Sequence, residues 1–318
     1  MSAGGLRPLL AGVPRREGES VVVAGSRREI RVDGDADLAE AVLGRCDGHR
    51  TRNEILAGLP EADRADAEAL LGELVAAGAV LDCREAWRIL HEQSSAGSAF
   101  VATPGRDDLA RLARERVVPE HRPGPAVAVA PRDTALAALI ARRRSSELRP
   151  EPRPVAFGEL SALLAAAYGP ARAGHAPVAS AGGLYPLLLH VAIQAPVGPL
   201  EPGIWWHDHE AGALRAVTAG PVDARDLLVP QELTDALAAR GGPLVVISAA
   251  IVRQGRKYGN RAYRFALIEA GSAWQNLALA ATELGVPVRP VGGVADDAAA
   301  AALRLGDAQP LLAVLVGA

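Results

Sequence analysis

Lysine is nearly absent from this chain of 318 residues. Of its 34 Lys+Arg residues, Lys257 alone is a lysine. Cysteine is scarce: Cys46 and Cys83 stand without metal-type spacing, as expected of reduced thiols in a cytosolic protein. A basic excess is also missing. The net charge of −3 supplies no field that attracts nucleic acid. No apolar run is long enough to span a bilayer, because Arg, Glu and Asp interrupt the Ala-rich helices. The opening MSAGGLRPLL lacks both the charged segment and the apolar core of an export signal, so a cytoplasmic location is expected.

What remains is the composition of a soluble globular protein, 49% hydrophobic and 22% charged, long enough for two domains. Residues Glu19–Ala24 and Arg28–Val32 form two strands about a Gly25–Ser26 turn. Three helices follow: Ala36–Arg45 capped by Asp35, TRNEILAGL with Thr51 and Glu54 placed as a capping box, and Asp63–Ala77 stopped by Gly78. A short strand, AVLDC, closes the unit. This order is winged-helix-like. It also resembles the PqqD-like domains, which bind an extended peptide by adding it as a strand to an exposed sheet edge. DNA binding fits less well, since Arg and acidic residues are interspersed, and a packing domain without a ligand is the plain alternative. Domain 1–92 is followed by a Ser/Gly- and Pro-rich linker, 93–130, and a second domain, 131–318.

In the second domain, Asp133 is expected to cap the helix TALAALIARRRSS, which runs into Arg143, Arg144 and Ser145. Guanidinium groups beside a hydroxyl suit a phosphate, and they equally suit a solvated helix end. Phe157–Tyr168 is amphipathic. SAGGLYP (Ser180–Pro186) then enters the strand LLLHVAIQA, and the paired Gly182 and Gly183 permit close approach to a flat ligand or simply a tight turn. His190 is read as a core histidine. The His207-Asp208-His209 run has no third ligand nearby, so no metal site is expected. After the hairpin Gly203–Val217 come helices at Ala224–Leu228 and Glu232–Arg240, and the buried strand PLVVISAAI. It leads to Lys257, followed by a helix over Tyr263–Leu284 that is apolar almost all round and expected to be buried. Gly292–Gly293, a helical ADDAAAAALRLG and the strand QPLLAVLVGA complete the chain.

Lys257 stands out chemically. Arginine holds its proton in proteins, whereas a partly desolvated lysine releases one and acts as a base. Tyr258 adds a second proton-transfer group. A leftover surface charge is the competing reading.

Taken together, SAGGLYP, KYGNRAYRFALIEAG, QNLALAATELG and PVGG resemble the SagB-type branch of the nitroreductase-like flavoproteins, the azoline dehydrogenases of thiazole/oxazole-modified peptide pathways. The likeness runs from about Pro131 to the end. The N-terminal element order resembles the PqqD-like domains that recognise leader peptides in the same pathways. The resemblance implies an α+β fold, a mostly antiparallel sheet flanked by helices, and a homodimer whose protomers both line each site. It implies FMN as cofactor: Arg143, Arg144 and Ser145 on the phosphate and ribityl chain, Ser180, Ala181, Gly182 and Gly183 along the isoalloxazine, and Gly292 and Gly293 near the flavin. Lys257 and Tyr258 match the family's catalytic Lys-Tyr pair. The implied activity is oxidation of thiazoline or oxazoline rings in a ribosomally made precursor peptide, beside a cyclodehydratase, in antibiotic-type peptide biosynthesis. Two alternatives stay open: an NAD(P)H:acceptor flavin oxidoreductase on small molecules, and a non-catalytic scaffold that recruits peptide. The chain departs from the family at Glu147, where a further Arg is usual, and at its end, which lacks a basic residue near Ala318; Arg264 and Arg289 are candidate substitutes.

Overall fold

The computed structural model describes residues 6–24, 29–94, 107, 111, 114, 133–146, 153–170, 175–229 and 241–317. The Gly25–Ser26 turn, Glu147, most of the expected linker and the expected helix Glu232–Arg240 lie outside the described residues.

The N-terminal unit contains β1 (Pro8–Leu10), β2 (Pro14–Glu17), β3 (Ser20–Ala24), β4 (Glu29–Asp33), α1 (Ala36–Leu43), α2 (Arg52–Ala57), α3 (Arg64–Ala76) and β5 (Val80–Asp82). The strands β2, β3 and β4 form an antiparallel sheet in that order, and β1 pairs with β5. Two of these strands, β1 and β2, are short and Pro-containing and give little periodic signal in the sequence. Val21, Val23, Val42, Leu43, Ile55, Leu71, Leu74 and Val80 form the core of the unit. Both expected helix starts are present. Asp35 Oδ1 accepts from the Leu38 N–H at 2.9 Å, and Glu54 Oε2 accepts from the Thr51 N–H at 2.7 Å while Thr51 Oγ1 accepts from the Glu54 N–H. These bonds satisfy donors that the first helical turn leaves open.

Next, α4 (Trp87–Ser94) sends Trp87 into the core of the larger unit. That unit is built from α5 (Ala135–Arg142), α6 (Phe157–Tyr168), β6 (Leu187–Ile193), β7 (Gly203–Asp208), β8 (Ala213–Ala219), β9 (Leu244–Ala249), α7 (Ile251–Tyr258), α8 (Arg261–Leu284), β10 (Val288–Val291), α9 (Asp296–Ala302) and β11 (Gln309–Val316). Six strands form one sheet in the order β10-β11-β9-β6-β7-β8, and every pairing is antiparallel. The α+β class and antiparallel sheet are as expected. Side chains of β9 alternate between two cores. Val245, Ile247 and Ala249 meet α6 and α8; Leu244 and Val246 meet Leu227, Ala299 and Leu303 on the other face. A strand covered on both faces needs few polar positions, which explains why β9 is apolar except at the buried Ser248.

Several local expectations differ from the structure. Thr134, not Asp133, caps α5: its Oγ1 accepts from the Ala137 N–H at 3.1 Å. The helix stops at Arg142, so Arg143–Ser145 continue as non-helical backbone. The PVGG stretch includes part of an edge strand, β10, where Pro290 needs no partner for a missing N–H. The long helix α8 is not buried all round: Leu267 and Ile268 are 44% and 61% exposed.

Because the α2 start is fixed by a reciprocal cap, Thr51→Ala is expected to lower the stability of the N-terminal unit by about 1 kcal/mol. Denaturant unfolding followed separately for the two units checks this: the midpoint of the larger unit stays in place.

Candidate active site

The register of two central strands assembles the site. Leu187, the first residue of β6, lies opposite Ala249, the last of β9. The Ala250 N–H donates to the Pro186 carbonyl at 2.9 Å, just outside that pair. The SAGGLYP loop therefore ends where α7 begins. Lys257 and Tyr258 occupy the last turn of α7, a helix the sequence reading had not placed; Gly259 ends it at φ 55°.

Both side chains converge on Gly182, whose φ is 66°. A Cβ placed there would lie 2.6 Å from the Tyr258 hydroxyl and 2.7 Å from Lys257 Nζ. The absence of a side chain at Gly182 is what lets the Lys257 amine and the Tyr258 phenol meet the loop. Lys257 Nζ is 5.3 Å from the centre of the Tyr258 ring, and Phe265 meets that ring edge-on at 5.0 Å. In the single chain Lys257 is exposed and Tyr258 is half-buried.

The loop is braced from behind. Ser180 Oγ accepts from the Tyr185 N–H at 2.9 Å, and the Gly183 N–H donates to the Ser180 carbonyl. Tyr185 takes φ 44°, an uncommon conformation for an aromatic residue. Beneath it, Glu269 of α8 is 1% exposed, and its Oε1 accepts from the Tyr168 hydroxyl at 2.8 Å. Glu269 Oε2 has no hydrogen-bond partner. Burial raises the Glu269 carboxyl above its usual 4.5, while the Ser180 and Tyr168 hydroxyls pull in the opposite direction. Burial and the Glu269 charge push the Tyr168 phenol up as well. Gln254, on α7 one turn before Lys257, is fully buried with neither amide atom bonded. Buried unsatisfied polar groups are rare, and here one lies on α7, beside Lys257 and Tyr258, and one on α8, the next helix. Sequence reasoning passed over both. The usable signal was an acid inside an otherwise apolar helix, FALIEAG.

A second group of the singled-out residues gathers on β10. The Ser146 N–H donates to the Val288 carbonyl, and Arg289 Nη1 donates to the Ser146 carbonyl, both at 2.9 Å. This ties the Arg143–Ser145 segment to the strand that runs into Gly292–Gly293. Arg143 is half-buried there, whereas Arg144 and Ser145 are exposed. Among the described residues, no hydrogen bond joins this group to Lys257 or Gly182.

The histidines have other duties. His190 is buried in β6, where desolvation pushes it down to about 4 and keeps it neutral; its Nδ1 lacks a partner. His207 Nε2 lies 3.1 Å from the Tyr168 carbonyl, and Asp208 is engaged by Arg215 at 2.7 Å.

Residues 140–318 match the model of the nitroreductase family. The chain belongs to the nitroreductase family. A Methanocaldococcus jannaschii protein carrying the name nitroreductase is 32% identical over 180 residues, covering 56% of this chain and 88% of the relative. Among solved structures, the Escherichia coli microcin synthetase McbBCD complex with truncated pro-MccB17 superposes with TM-score 0.52 at 21% identity, over 69% of this chain and 84% of that one. A nitroreductase-named structure from Ralstonia eutropha JMP134 gives TM-score 0.48 at 21% identity, over 63% and 95%.

FMN is the cofactor of this family. The residues present fit it: Gly182 and Gly183 form a bare-backbone loop, nothing lies within 4 Å of a Cβ at Gly183 or Gly292, and guanidinium groups stand at the end of α5.

Two variants test this site. Gly182→Ala is expected to cost about 1–2 kcal/mol in stability from its left-handed backbone, and to lower turnover on the order of 10²-fold by displacing Lys257 and Tyr258; melting and steady-state rates separate the two effects. Glu269→Gln addresses the buried acid. An acid whose pKa is higher folded than unfolded contributes fully below its unfolded value, and that contribution is lost as pH rises through the folded value. Wild-type stability is therefore expected to fall relative to Glu269→Gln as pH rises from 4.5, the usual value, as measured by unfolding free energies across pH.

Proposed function

We propose that this chain is an FMN-dependent azoline dehydrogenase, oxidising thiazoline or oxazoline rings of a ribosomally made peptide to thiazole or oxazole. The observation that carries the reading is the convergence of Lys257 Nζ and the Tyr258 hydroxyl on Gly182. It puts a proton acceptor and a proton relay against the loop that the family resemblance assigns to the flavin ring. Bound FMN supplies the two-electron acceptor for the hydride leaving the ring carbon next to Cα, and molecular oxygen restores it. Lys257 takes the Cα proton, so that the ring loses one proton and one hydride and gains a double bond. Tyr258 orients Lys257 or passes the proton onward. Gly182 and Gly183, with Ser180 and Ala181, let the backbone lie along the flavin. Arg143, Arg144 and Ser145 hold its phosphate end, with Arg289 positioning that segment, and Gly292 and Gly293 flank the cofactor.

Lys257 is exposed in the single chain, and a useful base needs cover. The bound cofactor, the peptide and a second copy supply it in this reading. The homodimer is supported by α5, which buries no residue in the chain and lies against α8. Leu136, Ile140, Leu267 and Ile268 on these helices are 44–61% exposed, the kind of apolar surface that marks an interface. The N-terminal unit is assigned to leader-peptide capture. Neither β2 nor β4 has a second strand partner among the described residues, so each offers an edge for strand addition. The microcin synthetase complex holds a truncated pro-peptide, which suits a peptide substrate and a cyclodehydratase partner here.

Lys257→Arg tests the assignment because it keeps the charge and removes the proton acceptor. The variant is expected to retain FMN and its oligomeric state while azole formation falls 10²–10⁴-fold, the usual worth of a general base. Near-normal turnover returns Lys257 to a surface charge. Rapid flavin reduction by NAD(P)H with no azoline oxidation favours a small-molecule oxidoreductase instead, and protein that stays colourless with excess FMN favours the scaffold.

A further inference from the structure

Asn260 lies two residues beyond Tyr258 and opens α8. Its side chain reaches out of the catalytic unit. Nδ2 donates to the Cys83 carbonyl at 2.6 Å, and Oδ1 accepts from the Trp87 N–H at 3.2 Å. One amide thus closes both ends of the turn between β5 and α4. A primary amide carries both the donor and the acceptor that this needs. The contact continues in both directions. The Cys83 N–H donates to the Arg7 carbonyl at 2.9 Å, which ties the turn to β1 of the N-terminal unit. On the other side Trp87, 3% exposed, stacks on Tyr263 of α8 with centroids 5.8 Å apart and planes at 19°. The Tyr263 hydroxyl is 3.5 Å from His91 Nδ1, and His91 Nε2 is 3.9 Å from Asp296 Oδ2.

Between Tyr258 and this clamp stands Gly259, at φ 55° and ψ −141°. That conformation is open to glycine and strained for other residues. A chain hinged there leaves the last turn of α7 free to move unless the next residue is fixed. Asn260 fixes it to the segment between β5 and α4, which the Cys83 N–H ties to the N-terminal unit.

We propose that Asn260 is a positioning residue that couples the N-terminal unit to Lys257 and Tyr258. The N-terminal unit is then part of the frame that holds the reactive pair, and not only a tether for peptide. This rests on the roles proposed above for Lys257 and Tyr258.

The test uses full-length, FMN-loaded protein: wild type, Asn260→Ala and Asn260→Asp. Lys257 is the only lysine in the chain, so its modification rate by an amine-directed reagent, read by peptide mass mapping, reports its surroundings without turnover. The second readout is kcat and KM for an azoline peptide that carries its leader. Asn260→Ala is expected to label Lys257 several-fold faster and to lower kcat by about tenfold through misplacement of Lys257 and Tyr258, with KM nearly unchanged. Asn260→Asp keeps an acceptor for the Trp87 N–H but sets a carboxylate oxygen against the Cys83 carbonyl, so it is expected to shift both readouts at least as far as Asn260→Ala; it carries the test if Asn260→Ala does not fold. Wild-type labelling and kcat in the variants, or a rise in KM alone, overturns the coupling. If wild-type protein does not oxidise azolines, the proposed reaction fails, and the labelling rates by themselves decide the clamp.

Discussion

The pairing of Leu187 with Ala249 is the constraint on which the site depends. It aligns the exit of the glycine loop with the entrance of α7, so that two segments more than sixty residues apart in sequence deliver their groups to one place. A one-residue slip of either strand turns that strand's side chains to the opposite face. Both strands are buried on two faces, so a slip exchanges the sets that meet α6/α8 and α9. The sheet core therefore holds Lys257, Tyr258 and Gly182 together without any of them being part of it.

The other organising element is α8. Its first turns follow the reactive pair, Tyr263 carries the stack with Trp87, and Glu269 sits buried under the loop. Leu267 and Ile268 face outward from the same helix. One 24-residue helix thus touches the loop, the N-terminal unit and the surface assigned to a second copy. Buried polar groups on such a spine are costly unless paired. Glu269 meets that cost by pairing with Tyr168 and favouring its protonated form.

Elements with strong local signals were legible in the sequence. The capping box at Thr51 and Glu54, the amphipathic α6 and the apolar β9 each follow from spacing and residue type, and the structure has them in place. Weak local signals were lost. The strands β1, β2 and β10 are three or four residues long and contain proline, and α7 holds Arg, Gln, Gly and Lys in place of an apolar stripe. The apolar character of α8 was visible, but a buried helix and one that keeps an apolar face for another protein have similar composition.

The sequence by itself determined the residue types: one lysine among arginines, a tyrosine beside it, paired glycines before a buried strand, and an order of motifs that resembles one flavoprotein branch. Only the tertiary structure decided which of these meet. Lys257 and Gly182 are brought within reach by strand register, and Asn260 finds Cys83 and Trp87 because two units dock. Both contacts join residues that are distant in sequence, and hydrophobic periodicity carries information about a residue's own element alone.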